Sequence, residues 1–172
     1  MPTKNTTKHK NNGFTLIELL ITTSLTVLLL LGISSLFMTF LISSAKTNTK
    51  KTVKEEGSQA LSQIEFLLKN AHYIDETSTP CTSGMTSITA VSLDGGSTTF
   101  STLADASDNN HDKIASNSSF LTSSSVNVSS ALTFDCSGNT GNRQININFG
   151  LNKITPDGTL SQLFNSTVNI RN

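Results

Sequence analysis

One carboxylate sits where a charge is most costly. Glu18 lies within Gly13-Phe14-Thr15-Leu16-Ile17-Glu18-Leu19-Leu20-Ile21, and 27 uncharged residues separate it from Lys46. A charged side chain inside an apolar helix costs a few kcal/mol, about 2.5–3.5 for an Asp at mid-membrane, and less near a helix start. Either Glu18 sits at headgroup level and is solvated there, or it finds a positive partner. The apolar run holds no Lys or Arg, so that partner must come from elsewhere. The second chemical candidate is the pair Cys81 and Cys136, the two cysteines of the chain. In an exported domain such a pair reads as one disulfide, and closing a loop of that length stabilises a thin core by roughly 3–4 kcal/mol. There is no CxxC and no Cys/His cluster, so no zinc site is expected. The loop Asp105-Ala106-Ser107-Asp108-Asn109-Asn110-His111-Asp112 gathers oxygen ligands suited to calcium. It lacks the central Gly and closing Glu of an EF-hand, and Asn/Asp loops are usually turns. No GxSxG elbow, HExxH, P-loop or GxGxxG occurs, and with 50 Ser and Thr hydroxyls a serine near His72 or His111 carries no weight. No enzyme and no cofactor is expected.

The elements that must position these residues follow from an uneven composition. The chain has 172 residues, 12 basic and 12 acidic side chains, and a pI near 6.8. That balance argues against a nucleic-acid footprint. Charged residues make up 14%, against about 25% in ordinary soluble domains. Ser, Thr and Asn number 25, 25 and 17, and the apolar residues are concentrated at one end. As a helix, the run from Glu18 to Lys46 covers roughly 40 Å, enough to cross a hydrocarbon core of about 30 Å with some tilt. Its hydroxyls at Thr22, Thr23, Ser24 and Thr26 are tolerable there, because each can bond back to the preceding turn. Met1 to Gly13 carries Lys4, Lys8 and Lys10 and no acid, which predicts a cytoplasmic amino terminus and an exported bulk. Cleavage as an ordinary secretory signal after Ser43-Ser44-Ala45 is the competing reading. The apolar run is long for that, and it carries a carboxylate near its start.

The basic leader, Gly13, Phe14, three uncharged residues, Glu18 and the long apolar helix together resemble the class III signal of type IV pilins and type II secretion pseudopilins. The resemblance implies a membrane peptidase that cuts between Gly13 and Phe14 and methylates the new amino terminus at Phe14. Glu18 would then be the fifth residue of the mature chain. It also implies that this carboxylate meets the amino-terminal charge of a neighbouring subunit as the chain joins a filament, which would supply the missing cation. The likeness covers residues 1 to about 45, and departs from many pilins in having no proline between Phe14 and Pro80. Removal of the leader would leave nine basic and twelve acidic side chains, a formal charge near −3.

Downstream, Lys46 to Lys51 forms a polar collar, read as a solvated or headgroup-facing stretch. Val53, Gly57, Ala60, Leu61, Ile64, Leu67, Leu68, Ala71 and Ile74 then recur in steps of three and four, predicting an amphipathic helix over 46–76. Period-two alternation predicts strands at Ser87–Leu93, Thr98–Leu103, Val126–Val128 with Ala131–Cys136, Gln144–Leu151 and Thr167–Ile170, with turns at Asp94-Gly95-Gly96 and Pro156-Asp157-Gly158. Ser116 to Ser130 reads as a surface loop around a short strand. The expected fold class is α+β: a long N-terminal helix packed on an antiparallel sheet, an order that also resembles the pilin fold. The run Ala60 to Ala71 resembles minor pilins and J-type pseudopilins. The expected divisions are a removed leader 1–13, an assembly helix 14–45, an amphipathic helix 46–76 and a β-rich head 77–172. Expected partners are the bilayer, other pilin-like subunits, the prepilin peptidase and a membrane assembly platform. The alternative from another class is a membrane-anchored binding module, an adhesin or DNA receptor, that does not polymerise.

Overall fold

A computed structural model of the chain describes residues 13–77, 80–107, 111–139, 142–155 and 158–171. The leader before Gly13, the centre of the Asp105–Asp112 loop and the Pro156-Asp157 turn lie outside the described residues. The architecture is α+β, one long N-terminal helix followed by antiparallel sheets. Two compact units divide after Ala45.

In the first unit, helix α1 (Leu16–Lys69) begins, and its side chains from Leu16 to Ile42 are exposed all round. A helix apolar on every side has no face to turn toward water. By length and composition it is fit to cross a membrane. The hydroxyls in this stretch bond to the preceding turn as the composition requires. Thr22 donates to the Glu18 carbonyl at 2.9 Å, Thr26 to Thr22 at 2.7 Å, Ser34 to Leu30 at 2.8 Å and Thr39 to Ser35 at 3.0 Å. Each hydroxyl thereby reaches a backbone acceptor without leaving the helix.

In the second unit the same helix buries the stripe Val53, Gly57, Ala60, Ile64 and Leu68. The helix ends at Lys69, short of the expected 76. Asn70 donates both its backbone N–H and its side-chain amide to the Phe66 carbonyl, and the His72 N–H turns away to the Val91 carbonyl at 2.7 Å. Ala71 and Ile74 keep the helical spacing, but a strand partner takes the backbone first.

The expected single sheet is two. A five-stranded sheet has the order β1 (Tyr73–Ile74), β2 (Ser87–Val91), β3 (Ser97–Asp105), β4 (His111–Ser116), β5 (Ser119–Phe120). A three-stranded sheet has β6 (Asn127–Asn139), β7 (Asn142–Thr155) and β8 (Gly158–Arg171). All pairings are antiparallel. Inward residues Ile88, Phe100, Ile114, Leu132, Phe134, Ile145, Ile147, Phe149, Leu151 and Val168 form one core with the helix stripe. Phe149 stacks on Phe164 with ring centres 5.2 Å apart. Gly57 is what lets the helix lie against this pair, because a Cβ there would collide with the Phe164 ring.

The span Ser116 to Ser130, read as a loop, is largely tied down. Lys113, only 1% exposed, reaches from β4 to donate to the carbonyls of Ser123 at 3.2 Å and Val126 at 2.9 Å. Glu56 of the helix accepts from the Ser123 N–H at 3.0 Å and from its hydroxyl at 2.7 Å. Held from both sides, the segment delivers the chain into β6.

Candidate functional site

Gly13, Phe14 and Thr15 precede the helix, and Phe14 is 83% exposed. The turn that follows is closed by a reciprocal pair of bonds. The Glu18 N–H donates to the Thr15 hydroxyl at 3.3 Å, and Glu18 Oε2 accepts from the Thr15 N–H at 3.3 Å. The Thr15 hydroxyl also lies 3.3 Å from Glu18 Oε2. This is a capping box, in which the first helical turn satisfies two of its own orphan N–H groups. The signal was present in the sequence as Thr-x-x-Glu ahead of an apolar run. Glu18 thus has a third option besides headgroup water and an external cation: in the isolated chain its carboxylate is held at its own helix start, where the helix dipole also favours negative charge.

Gly13 is different. Its φ is not positive, and a Cβ there would meet nothing within 4 Å. Among the described residues nothing gives a steric reason for a glycine at this position.

The second predicted pair is brought together. Cys81 and Cys136 form a disulfide with Cα atoms 5.2 Å apart, across 55 positions of sequence. Around it the chain from Thr82 to Met85 is laid along β6. The Cys136 N–H donates to the Thr82 carbonyl at 3.0 Å, and Met85 and Phe134 exchange two backbone bonds at 2.9 and 2.8 Å. Asp135 completes the attachment, since its Oδ1 accepts from the Ser83 hydroxyl at 2.6 Å and the Gly84 N–H at 2.8 Å. These two bonds, the hydroxyl first, hold the Asp135 carboxyl below its usual range. At the helix, Glu65 is lowered by its bond from Ser166 of β8 and by Lys69, which lies 3.0 Å away.

The Asp105–Asp112 loop joins β3 to β4. Asp105 Oδ1 accepts from the Ser107 N–H at 3.0 Å and hydroxyl at 2.6 Å, the bonding of an Asx turn. Among the described residues there is no group of three or more His, Cys, Asp or Glu placed to hold a metal ion. A shallow polar cleft on the outer face of the three-stranded sheet is lined by Asp135, Asn146, Asn148, Asn165, Ser166 and Thr167. Thr167 donates to Asn146 Oδ1 at 2.7 Å within it. It offers amides, hydroxyls and the Asp135 carboxylate.

Residues 8–34 match the family model for the prokaryotic N-terminal methylation motif, a type IV pilin-like prepilin signal. Neither a curated protein nor a solved structure matches the chain.

Proposed function

We propose that the chain is a structural subunit, a minor pilin or pseudopilin, of a type IV pilus or a type II secretion-like filament. The observation that carries this reading is the methylation motif over residues 8–34, set at the head of a helix that is apolar on every side. The precursor spans the cytoplasmic membrane once, with its basic leader inside and its head outside. Prepilin peptidase cuts between Gly13 and Phe14 and methylates Phe14. A glycine that no described neighbour crowds supports a requirement imposed from outside, by a peptidase subsite too narrow for a Cβ.

Cleavage places a new amine one residue before Thr15. In a filament, helices 14–45 leave the lipid and pack on one another through the assembly platform. The carboxylate of Glu18 then loses headgroup water, and a cation in low dielectric becomes its best partner. The methylated amine of a neighbouring Phe14 is that cation. The head, made of the β-strands from Tyr73 onward and the helix segment up to Lys69 that packs into their core, is exported and displayed on the filament.

The test is the mass of the mature amino terminus. A chain beginning at methylated Phe14 is expected. A chain retaining Met1, or one beginning after Ala45, would overturn the reading. A methylated chain that never enters a filament would instead favour a stand-alone anchored binding module.

A further inference from the structure

The two sheets have four outer edges, and three of them are blunted. β1 and β5 are two residues long. β6 has register shifts between Val128 and Thr133, and its outer edge is occupied by the Thr82–Met85 segment, the Met85–Phe134 bridge and the disulfide. Short strands, bulges and covering segments are the usual ways in which a sheet edge is kept from pairing with another chain.

The fourth edge, β8, has none of these devices. It is 14 residues long and pairs with β7 from Thr155↔Gly158 to Asn142↔Arg171 without a register shift. From Gly158 to Ile170 it contains no charged residue and no proline. Among the described residues no strand covers its outer side. Leu163, on its solvent face, is 76% exposed although its neighbours Ser161, Asn165 and Thr167 on that face are polar.

We propose that β8 is a docking edge for the β8 of a second copy of this chain, paired antiparallel across a two-fold axis at Leu163. The occupant follows from self-complementarity. An antiparallel edge offers alternating donors and acceptors that match its own two-fold mate, and an isologous contact needs one surface used twice. An uncharged strand meets no like charge when it faces itself, and it gives a charged partner strand nothing to select. With the axis at Leu163, the two exposed leucines cover each other, Ser161 faces the partner's Asn165, and Thr159 faces the partner's Thr167. Two three-stranded sheets become one of six strands. Copies carried on one membrane by their apolar helices meet at high effective concentration, which favours such a contact. The pairing belongs to the head and is independent of the anchor chemistry at Glu18.

The test uses the full-length chain carrying Glu18→Gln in native membranes, so that filament assembly and head pairing are read separately. Cys81 and Cys136 are consumed in their bridge, so Leu163→Cys adds a single free thiol. Strand partners across a two-fold axis lie within disulfide reach. On oxidation Leu163→Cys is expected to give a covalent dimer at least 10-fold more abundantly than Leu93→Cys, a control in the exposed β2–β3 turn. Adding Ser161→Lys together with Asn165→Lys sets like charges opposite one another twice, and should reduce the dimer to the control level. Ser161→Glu together with Asn165→Lys sets opposite charges in the same positions and should restore it, with the thermal melting of all variants unchanged. A cross-link no stronger than the control would overturn the proposal. So would a cross-link to a different protein, or a dimer indifferent to the charge exchange.

Discussion

The first 45 residues and the remainder of the chain solve opposite problems. In the first unit the large side chains from Leu16 to Ile42 are exposed, and the hydroxyls from Thr22 to Thr39 are satisfied internally, on the turn before them. In the second unit the helix stripe and the inward strand residues form a buried core, and most hydroxyls and amides lie outside it. A hydrogen-bonded backbone with a greasy exterior suits a medium without water, whereas a greasy interior under a hydroxyl-rich exterior suits water. The overall 35% apolar content therefore describes neither part.

Five experiments test this contrast. The largest effect is expected at Glu18. If the first unit acts through its carboxylate, Glu18→Gln leaves the helix insertable and the head folded but strands a neighbour's amine. Removing one member of a buried ion pair costs about 3–5 kcal/mol, so incorporation into filaments should fall by 10² or more, measured by sheared-filament yield against total processed subunit. Phe134→Ala attacks the second unit alone. A fully buried phenylalanine truncated to alanine costs about 3–5 kcal/mol, which calorimetry should record as a lower melting temperature of the head, with membrane insertion intact. Cys81→Ser combined with Cys136→Ser should cost roughly 3–4 kcal/mol, seen as a drop in the denaturation midpoint of the head. Gly57→Ala drives a methyl group into the Phe164 ring and is expected to cost about 1–3 kcal/mol. Phe164→Leu in the same chain should recover part of it.

The smallest effect is titrational. Asp135 is ionised more readily in the folded state than in the unfolded chain, where a carboxyl has pKa about 3.9. Its contribution is therefore fully present above pH 4 and disappears as pH falls through the lower folded value. Melting temperature followed from pH 5 to 2 should decline less steeply in Asp135→Asn than in the parent chain. Ser83→Ala, which removes the main cause of the shift, should show an intermediate slope.

Some of this was legible in the residues and some was not, for physical reasons. The helix stripe from Val53 to Leu68 and the strand Gln144 to Leu151 keep one period throughout, and both are where the pattern places them. The strand β4 is hidden because Lys113, on the face opposite the inward Ile114, reads as surface but is buried and donates to the Ser123 and Val126 carbonyls. Most of β8 is hidden because Gln162 and Ser166 alternate with its inward apolar residues while Leu163 faces out, so alternation is visible only in its last four residues. The helix end is misplaced because competition from the Val91 carbonyl is a tertiary fact, absent from any local window. At Thr15 and Glu18 the residues support two readings at once, a charge awaiting a partner and a local cap. Periodicity distinguishes neither, and the bonds at 3.3 Å display the second.

That cap has a consequence for proteolysis. Peptidases bind their substrates as extended strands, because a helical backbone has already committed its N–H and C=O groups to itself. By closing at Thr15, the box fixes the first hydrogen-bonded turn immediately beyond the Gly13–Phe14 peptide and leaves that peptide outside it. If the proposed cut falls at Gly13–Phe14, the pair of residues that caps the helix also works as a fence, with open backbone on one side and hydrogen-bonded backbone on the other.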